Sequence, residues 1–131
     1  MERSLMVVLD TAVLLYWAFA PERLTENAAR AIAEAAQVIV SSISVWEIGL
    51  KVKRGKLELP LTPDLFVTKL QGTDRVRIEP VTEAAWLKNL DLAWDHKDPA
   101  DRTIVATAIL LSCPLVTSDL EIRSFYADAV W

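Results

Sequence analysis

The feature that most constrains the fold is the continuous apolar run Leu-Met-Val-Val-Leu at residues 5–9, which ends at Asp10. A strand with one face in water alternates apolar and polar residues, whereas this run contains no polar position. It therefore predicts a strand that is buried on both faces, as in a parallel sheet covered by helices on each side.

Segments of strand and helix character alternate along the rest of the chain. Further strands are predicted at residues 38–40, 76–81, 115–118 and, at an edge, 129–131. Helices are predicted at residues 25–37, 44–53, 63–72, 82–90 and 98–112. This alternation predicts an α/β fold, a three-layer α/β/α sandwich around a mainly parallel sheet. The chain has 131 residues and no internal repeat or linker, so we interpret residues 1–131 as a single domain.

Composition excludes several classes of protein. There are 14 Lys and Arg against 18 Asp and Glu, and the net charge of −4 argues against a strongly basic nucleic-acid-binding protein while leaving a local basic patch open. One Cys and one His exclude an internal disulfide framework and a Cys- or His-rich zinc site. No uncharged run reaches the roughly 18 residues of a membrane span. Asp10 interrupts the apolar N-terminal region as no signal peptide would, so we expect a cytoplasmic protein without a membrane partner.

Four acidic residues are predicted to converge at one edge of the sheet. Asp10 and Asp119 each follow a predicted strand, which places both at its carboxyl end. Glu47 and Asp101 lie in the first turns of predicted helices that begin at the same edge. Because open α/β sheets bind ligands at this edge, we expect these four carboxylates to form one site.

Carboxylates gathered in this way need protons or cations. Two unit charges about 4 Å apart repel with about 4 kcal/mol at an effective dielectric of about 20. The cluster contains no Cys, and His96 is the only imidazole available to it, so its ligands are hard oxygens that favour Mg²⁺ or Mn²⁺ over Zn²⁺. One or two such ions activate water and stabilise the charge of a phosphoryl displacement.

Each acid also has a structural alternative. Ser44 and Glu47 have the spacing of a capping box, in which Glu47 would bond to the helix N-terminus. Asp98 and Asp101 have the spacing of an N-cap and a third helical position. The two acids that follow strands could begin turns. Their convergence favours a site, most strongly for the acid after the first strand, because burying a charge is costly.

Four blocks of sequence surround these acids. They are Val8-Leu9-Asp10-Thr11, Ser41-Ser42-Ile43-Ser44-Val45-Trp46-Glu47-Ile48, His96-Lys97-Asp98-Pro99-Ala100-Asp101-Arg102 and Leu115-Val116-Thr117-Ser118-Asp119. Their types and order resemble the PIN-domain ribonucleases, specifically the toxins of VapBC toxin–antitoxin systems. Together the blocks span nearly the whole chain.

The resemblance implies a PIN-like α/β/α domain and an endoribonuclease that depends on Mg²⁺ or Mn²⁺. By motif position, Asp10, Glu47, Asp101 and Asp119 match the family's acidic quartet, and Asp98 is close enough to assist it. Similar toxins cleave RNA, including structured RNA such as transfer RNA. A small protein antitoxin neutralises them, and they tend to form homodimers. The implied partners are therefore RNA, an antitoxin in a toxin–antitoxin hetero-oligomer, and a second copy of the chain.

Several neighbours of the acids are candidates for supporting roles. Thr11 and Ser118 are candidate accessory residues that would hydrogen-bond to the metal ligands, with capping or a turn at the strand end as the alternative. We interpret His96 as a loop residue rather than a ligand or a base. Trp94, in the same loop, is a candidate contact for a base or a partner.

Basic residues near the acids are candidate RNA contacts. Lys51, Lys53 and Arg54 cluster at a predicted helix end, where they would bind phosphate or simply form a solvated surface that complements the helix dipole. Arg102 would meet a phosphate or pair with a carboxylate.

Two other classes of function remain open. A different Mg²⁺-dependent phosphoryl-transfer enzyme or a phosphoacceptor domain would carry a second acid shortly after the first strand, where this chain has Ala12. A catalytically inactive PIN-like binding module would keep the fold without the chemistry. Metal binding without RNA cleavage would distinguish that module from an enzyme.

Overall fold

A computed structural model describes residues 5–131 and has a sheet of five strands at its centre. The strands lie in the order β3-β2-β1-β4-β5, and all neighbours pair in parallel. This result confirms the predicted mainly parallel sheet. Their bounds are β1 (Met6–Leu9), β2 (Gln37–Ser41), β3 (Val76–Glu79), β4 (Leu115–Val116) and β5 (Ala129–Val130).

Helices connect these strands. In the described residues they are α1 (Thr11–Phe19), α2 (Glu26–Glu34), α3 (Ser42–Lys53), α4 (Pro63–Gln71), α5 (Glu83–Asp91), α6 (Pro99–Leu111) and α7 (Leu120–Phe125), with a 3-10 turn at Pro21–Arg23. The helices α1 and α7 were not predicted, because α1 is apolar on nearly all sides and α7 is too short to show a period. None of the helices in residues 5–131 has the length and apolar character that a bilayer-spanning segment requires.

The sheet separates two apolar cores. On β1, Val7 and Leu9 pack on the face covered by α1, α2 and α4. Val8 points the other way, into a core formed with α6 and α7. All three side chains are almost wholly buried, so the strand is covered on both faces as its sequence predicts. The three-layer α/β/α sandwich is thereby confirmed.

The start of α3 differs from the prediction in a way that matters for the site. This helix begins at Ser42 rather than Ser44, because the Ser41 hydroxyl accepts a hydrogen bond from the Ile43 backbone N–H at 3.2 Å and caps it. Glu47 therefore lies in the second turn instead of the first. Other bounds shift less: β3 ends at Glu79, before Pro80, which has no N–H to donate to a sheet.

Candidate active site

Asp10 lies at the centre of the carboxyl edge, between β1 and α1, and is only 5% exposed. Its Oδ1 accepts a hydrogen bond from the Val13 backbone N–H at 2.8 Å and so caps α1. Its Oδ2 accepts a hydrogen bond from the hydroxyl of Thr117, which is fully buried beyond the end of β4. The folded chain itself therefore fixes the position of the Asp10 carboxylate.

The charge of this carboxylate is unfavourable in the protein alone. Burial raises the pKa of Asp10 to about 6, although the hydrogen bonds from Thr117 and Val13 oppose the shift. The negative charges of Asp101 and Asp119 raise it further. These three carboxylates are thus near enough to interact, and a cation between them would relieve the repulsion.

Three acids at this edge cap helices. Besides Asp10, the Oδ1 of Asp98 accepts hydrogen bonds from two backbone N–H groups of α6 at 2.8 and 3.1 Å. The Oδ1 of Asp119 does the same for α7, at 2.8 and 3.1 Å. Asp98 and Asp119 each cap with one oxygen, which leaves the other for a ligand, whereas the second oxygen of Asp10 also accepts from Thr117. The structural alternative for these acids is therefore compatible with a site.

Glu47 has a different environment. Its Oε1 is buried and has no hydrogen-bond partner among the described residues, and its Oε2 lies 3.9 Å from the Lys51 Nζ. The capping-box alternative for Glu47 is not observed, because Ser44 is inside the helix and its hydroxyl contacts that of Thr11 at 2.9 Å. A buried carboxylate oxygen without a partner is costly, so Glu47 is the group at this edge that most lacks a ligand.

Asp101 is held by an imidazole. In the first turn of α6, its Oδ2 lies 2.8 Å from the His96 Nε2, and the Nδ1 of the same ring lies 2.6 Å from an Oε2 of Glu121 on α7. Burial raises the pKa of Asp101, the charges of Asp98 and Asp119 add to the shift, and His96 opposes it. The hydrogen bond to Asp101 in turn raises the pKa of His96 above its ordinary value. No sequence pattern indicates that this loop residue bridges two helices.

The accessory residues are arranged differently from the prediction. The Thr11 hydroxyl bonds to a serine of α3 rather than to an acid, and Ser118 makes no side-chain hydrogen bond within residues 5–131. Thr117, which sequence reasoning missed, donates to Asp10 and accepts from the Asp119 backbone N–H at 3.0 Å. Strand register could have found it, because Thr117 follows β4 directly as Asp10 follows the neighbouring β1.

The basic candidates fall into two groups. Lys51, Lys53 and Arg54 are exposed at the C-terminal end of α3. Arg54, the last of them, lies about 10 Å along the helix axis from Glu47. Arg102 is engaged within the protein, and its RNA contact remains a prediction. Its guanidinium donates to the side-chain oxygen of Asn89 at 3.2 Å and to the backbone carbonyls of Asn89, Leu92, Trp94 and His96.

The donors fit a hard divalent cation in type and charge. They are carboxylate oxygens, the ligands that Mg²⁺ and Mn²⁺ prefer, and the unpartnered Glu47 Oε1 is a free acceptor among them. Within the part of the chain that the structure describes, however, no three His, Cys, Asp or Glu side chains are close enough to hold an ion together. A cation would therefore have to draw these carboxylates inward.

The fold and the site together define a class: a parallel α/β domain with an acidic site where the strand order reverses, between β1 and β4. The chain matches the PIN domain over residues 7–127, and it belongs to the PIN domain family. The resemblance predicted from the four sequence blocks is thereby confirmed.

Individual relatives agree with this assignment. The chain is 32% identical to Ribonuclease VapC22 of Mycobacterium tuberculosis over 119 residues, which is 90% of each chain. A toxin-antitoxin complex from Klebsiella pneumoniae contains a chain with a TM-score of 0.67 at 18% identity, covering 95% of this chain and 96% of that one. The M. tuberculosis toxin VapC20, described as cleaving the sarcin-ricin loop, gives a TM-score of 0.62 at 18% identity, covering 90% and 93%.

Proposed function

We propose that this protein is an Mg²⁺- or Mn²⁺-dependent endoribonuclease that acts as a toxin. The observation that carries the proposal is the group of Asp10, Asp101 and Asp119, whose charges interact, together with the buried and unpartnered Oε1 of Glu47 on α3, the helix that follows β2. The likeness to Ribonuclease VapC22 supports ribonuclease chemistry. The substrate class we propose is structured RNA such as transfer RNA, which is consistent with a fold neighbour that cleaves the sarcin-ricin loop.

In this proposal Asp10, Glu47, Asp101 and Asp119 hold the ion, and Asp98 assists. A bound ion of this kind supplies an activated water and stabilises the negative charge that develops on a phosphodiester. Thr117 orients Asp10 through its hydroxyl. The helices α1, α6 and α7 all begin at this edge. Their dipoles favour negative charge at that end, both that of the carboxylates and that of an approaching phosphate.

The deciding test is RNA cleavage by partner-free protein with Mg²⁺ or Mn²⁺, compared with the same reaction in a chelator. The Asp10→Asn variant serves as the control for contaminating nuclease. We expect cleavage that requires the metal and is absent from the variant. Equal cleavage by both proteins would identify a contaminant, and a further purified wild-type protein that cleaves no RNA with either metal would contradict the proposal.

A catalytically inactive PIN-like binding module is the second candidate. One observation favours it, namely that no three donors in residues 5–131 are assembled around a common point. Mn²⁺ binding without cleavage of any RNA would support the module over the enzyme. A different Mg²⁺-dependent phosphoryl-transfer enzyme has no such observation in its favour.

The proposed antitoxin has a candidate binding groove away from the acids. A cavity of about 660 Å³ lies between the end of α1 and α4, with Trp17, Phe19, Leu65 and Phe66 in its apolar lining. We propose that it receives apolar side chains of the antitoxin, since a fold neighbour was solved as a toxin-antitoxin complex. The surface is suited to this role because exposed apolar patches commonly mark protein partners.

The proposed homodimer has a separate candidate surface. Trp46 on α3 and Trp86 on α5 line a groove of about 400 Å³ and are 58% and 45% exposed. Leu90, one turn after Trp86, is 79% exposed and extends the apolar surface. We propose that a second copy of the chain covers it.

Two charge substitutions separate these surfaces. Leu65→Lys should prevent binding of the cognate antitoxin and leave the oligomeric state of the toxin unchanged. Leu90→Lys should produce a monomer that still binds the antitoxin. Sedimentation velocity of each variant, alone and with the antitoxin, measures both, and each variant is the control for the other. An exchange of the two results would reverse the assignment of the surfaces.

A further inference from the structure

His96 is held between two helices of the proposed metal site. Its Nε2 lies 2.8 Å from the Asp101 Oδ2 on α6, and its Nδ1 lies 2.6 Å from the Glu121 Oε2 on α7. The helix α7 is the one capped by Asp119. One ring therefore connects the two helices that present two of the proposed ligands.

The surrounding loop holds this ring in place. The Trp94 ring stacks on Phe125 of α7 with centroids 4.6 Å apart and also contacts the His96 ring at 4.7 Å. The Arg102 guanidinium donates to the backbone carbonyl of His96 at 3.1 Å. An imidazole fixed by packing and by its own backbone is a rigid donor, in contrast to a side chain that is free in solvent.

The contact with His96 gives the two oxygens of Asp101 different surroundings. Oδ2 faces His96, while Oδ1 accepts no hydrogen bond from the residues that the structure describes. The contact with His96 restrains the Asp101 carboxylate through Oδ2 and leaves Oδ1 open to a ligand.

We propose that His96 is a positioning residue that orients the Asp101 carboxylate for a divalent cation, with Glu121 holding the opposite side of the ring. The inference rests on the proposed metal site. Groups that hydrogen-bond to metal ligands orient them in this way, and their loss typically weakens metal binding by about 10- to 100-fold.

Calorimetric titration with Mn²⁺ tests this role on the intact chain. We expect His96→Ala to bind Mn²⁺ at least about 10-fold more weakly than wild type, and His96→Gln, whose amide still donates, to recover part of the loss. Glu121→Gln keeps the Asp101 contact and should lose less. Thermal melts without metal separate a general loss of stability from a loss of metal affinity. Equal or tighter binding by a folded His96→Ala would overturn the proposal.

The single histidine of the chain gives a second readout without activity. Its ring signals in an NMR spectrum need no further assignment, and Mg²⁺ should shift them in wild type and Glu121→Gln but not in Asp101→Asn. Ring signals that stay fixed while calorimetry shows Mg²⁺ bound would overturn the role of His96 alone. A wild-type protein that binds neither ion would overturn the proposed metal site, and this inference with it.

Discussion

Asp10 directly follows β1, whereas Glu47 lies on α3, the helix that follows β2, and the surroundings of the two carboxylates are opposite. Asp10 has a protein hydrogen bond on each oxygen, one from the Val13 backbone and one from the Thr117 hydroxyl. Glu47 has a buried oxygen with no partner among the described residues and a distant contact with Lys51. In the folded protein both oxygens of the Asp10 carboxylate are hydrogen-bonded, whereas one buried oxygen of Glu47 has no hydrogen-bond partner among the described residues.

The difference follows from the elements that carry them. Asp10 extends the central strand β1, so the register with β4 decides what stands beside it. Glu47 projects from the second turn of a helix, where no strand register supplies a partner. We infer that Asp10 anchors the site and that Glu47 responds to what binds there.

The largest effect is expected on RNA cleavage, for which we predict that Glu47 is as important as Asp10. Glu47→Gln should lower metal-dependent RNA cleavage by at least about 1000-fold, as Asp10→Asn should, because an amide does not replace an anionic ligand. Initial cleavage rates at saturating Mn²⁺ measure this loss. Glu58→Gln, an exposed acid on the following loop, is the matched control and should keep full activity. A fully active Glu47→Gln would remove Glu47 from the site.

The second prediction concerns stability and pH. Because folding raises the pKa of Asp10 from an ordinary 3.8 to about 6, its contribution to stability is present below pH 3.8 and is lost as the pH rises through about 6. Asp10→Asn should therefore raise the free energy of unfolding of the metal-free protein at pH 7, by up to about 3 kcal/mol. The gain should vanish near pH 4. Urea unfolding at both pH values measures it, and a destabilised variant at pH 7 would contradict the burial argument.

A smaller effect tests how Asp10 is anchored. Thr117→Val keeps the shape of the side chain but removes the donor to Asp10 and the acceptor for the Asp119 backbone, so it should lower the free energy of unfolding by roughly 1–2 kcal/mol. Thr117→Ser should restore most of the loss. Denaturant melts of the pair measure the difference, and equal stability of Val and Ser at this position would mean that the hydroxyl contributes nothing.

The smallest effect is expected on stability when Lys51, whose Nζ lies near the Glu47 Oε2, is replaced. Lys51 is half exposed and 3.9 Å from the Glu47 Oε2, so Lys51→Gln should change the free energy of unfolding by less than about 0.5 kcal/mol. Lys53→Gln, on the same exposed helix end, provides the comparison. A loss for Lys51→Gln well above that of the control would show that Lys51 partners Glu47 after all.

The sequence predicts the frame better than the fine contacts. Continuous apolar runs indicate a parallel sheet, and the residues that follow its strands must lie at one edge, which predicts the placement of Asp10 and Asp119. The capping box at Glu47 does not form, because Ser41, three residues before Ser44, is the N-cap of α3. Local spacing alone does not decide between two serines that can both cap.

The roles of Thr117 and His96 depend on tertiary placement. Thr117 becomes a partner of Asp10 only through pairing of distant strands, and His96 meets Glu121 only because α7 folds back beside its loop. Arg102 shows the reverse case. Its charge indicated an RNA phosphate, but nearby backbone carbonyls in the folded loop already engage it.

The hydrogen bond between Thr117 and Asp10 joins residues 107 positions apart. The strand β1 can pair with its second neighbour only after β4 has been synthesised. At about 5–20 residues per second of synthesis, roughly 5–20 s separate the two halves of this bond on the ribosome. A nascent chain therefore carries Asp10 and Glu47 long before it has the strand that organises them. The acidic edge therefore assembles only after residues 115–119 have been synthesised.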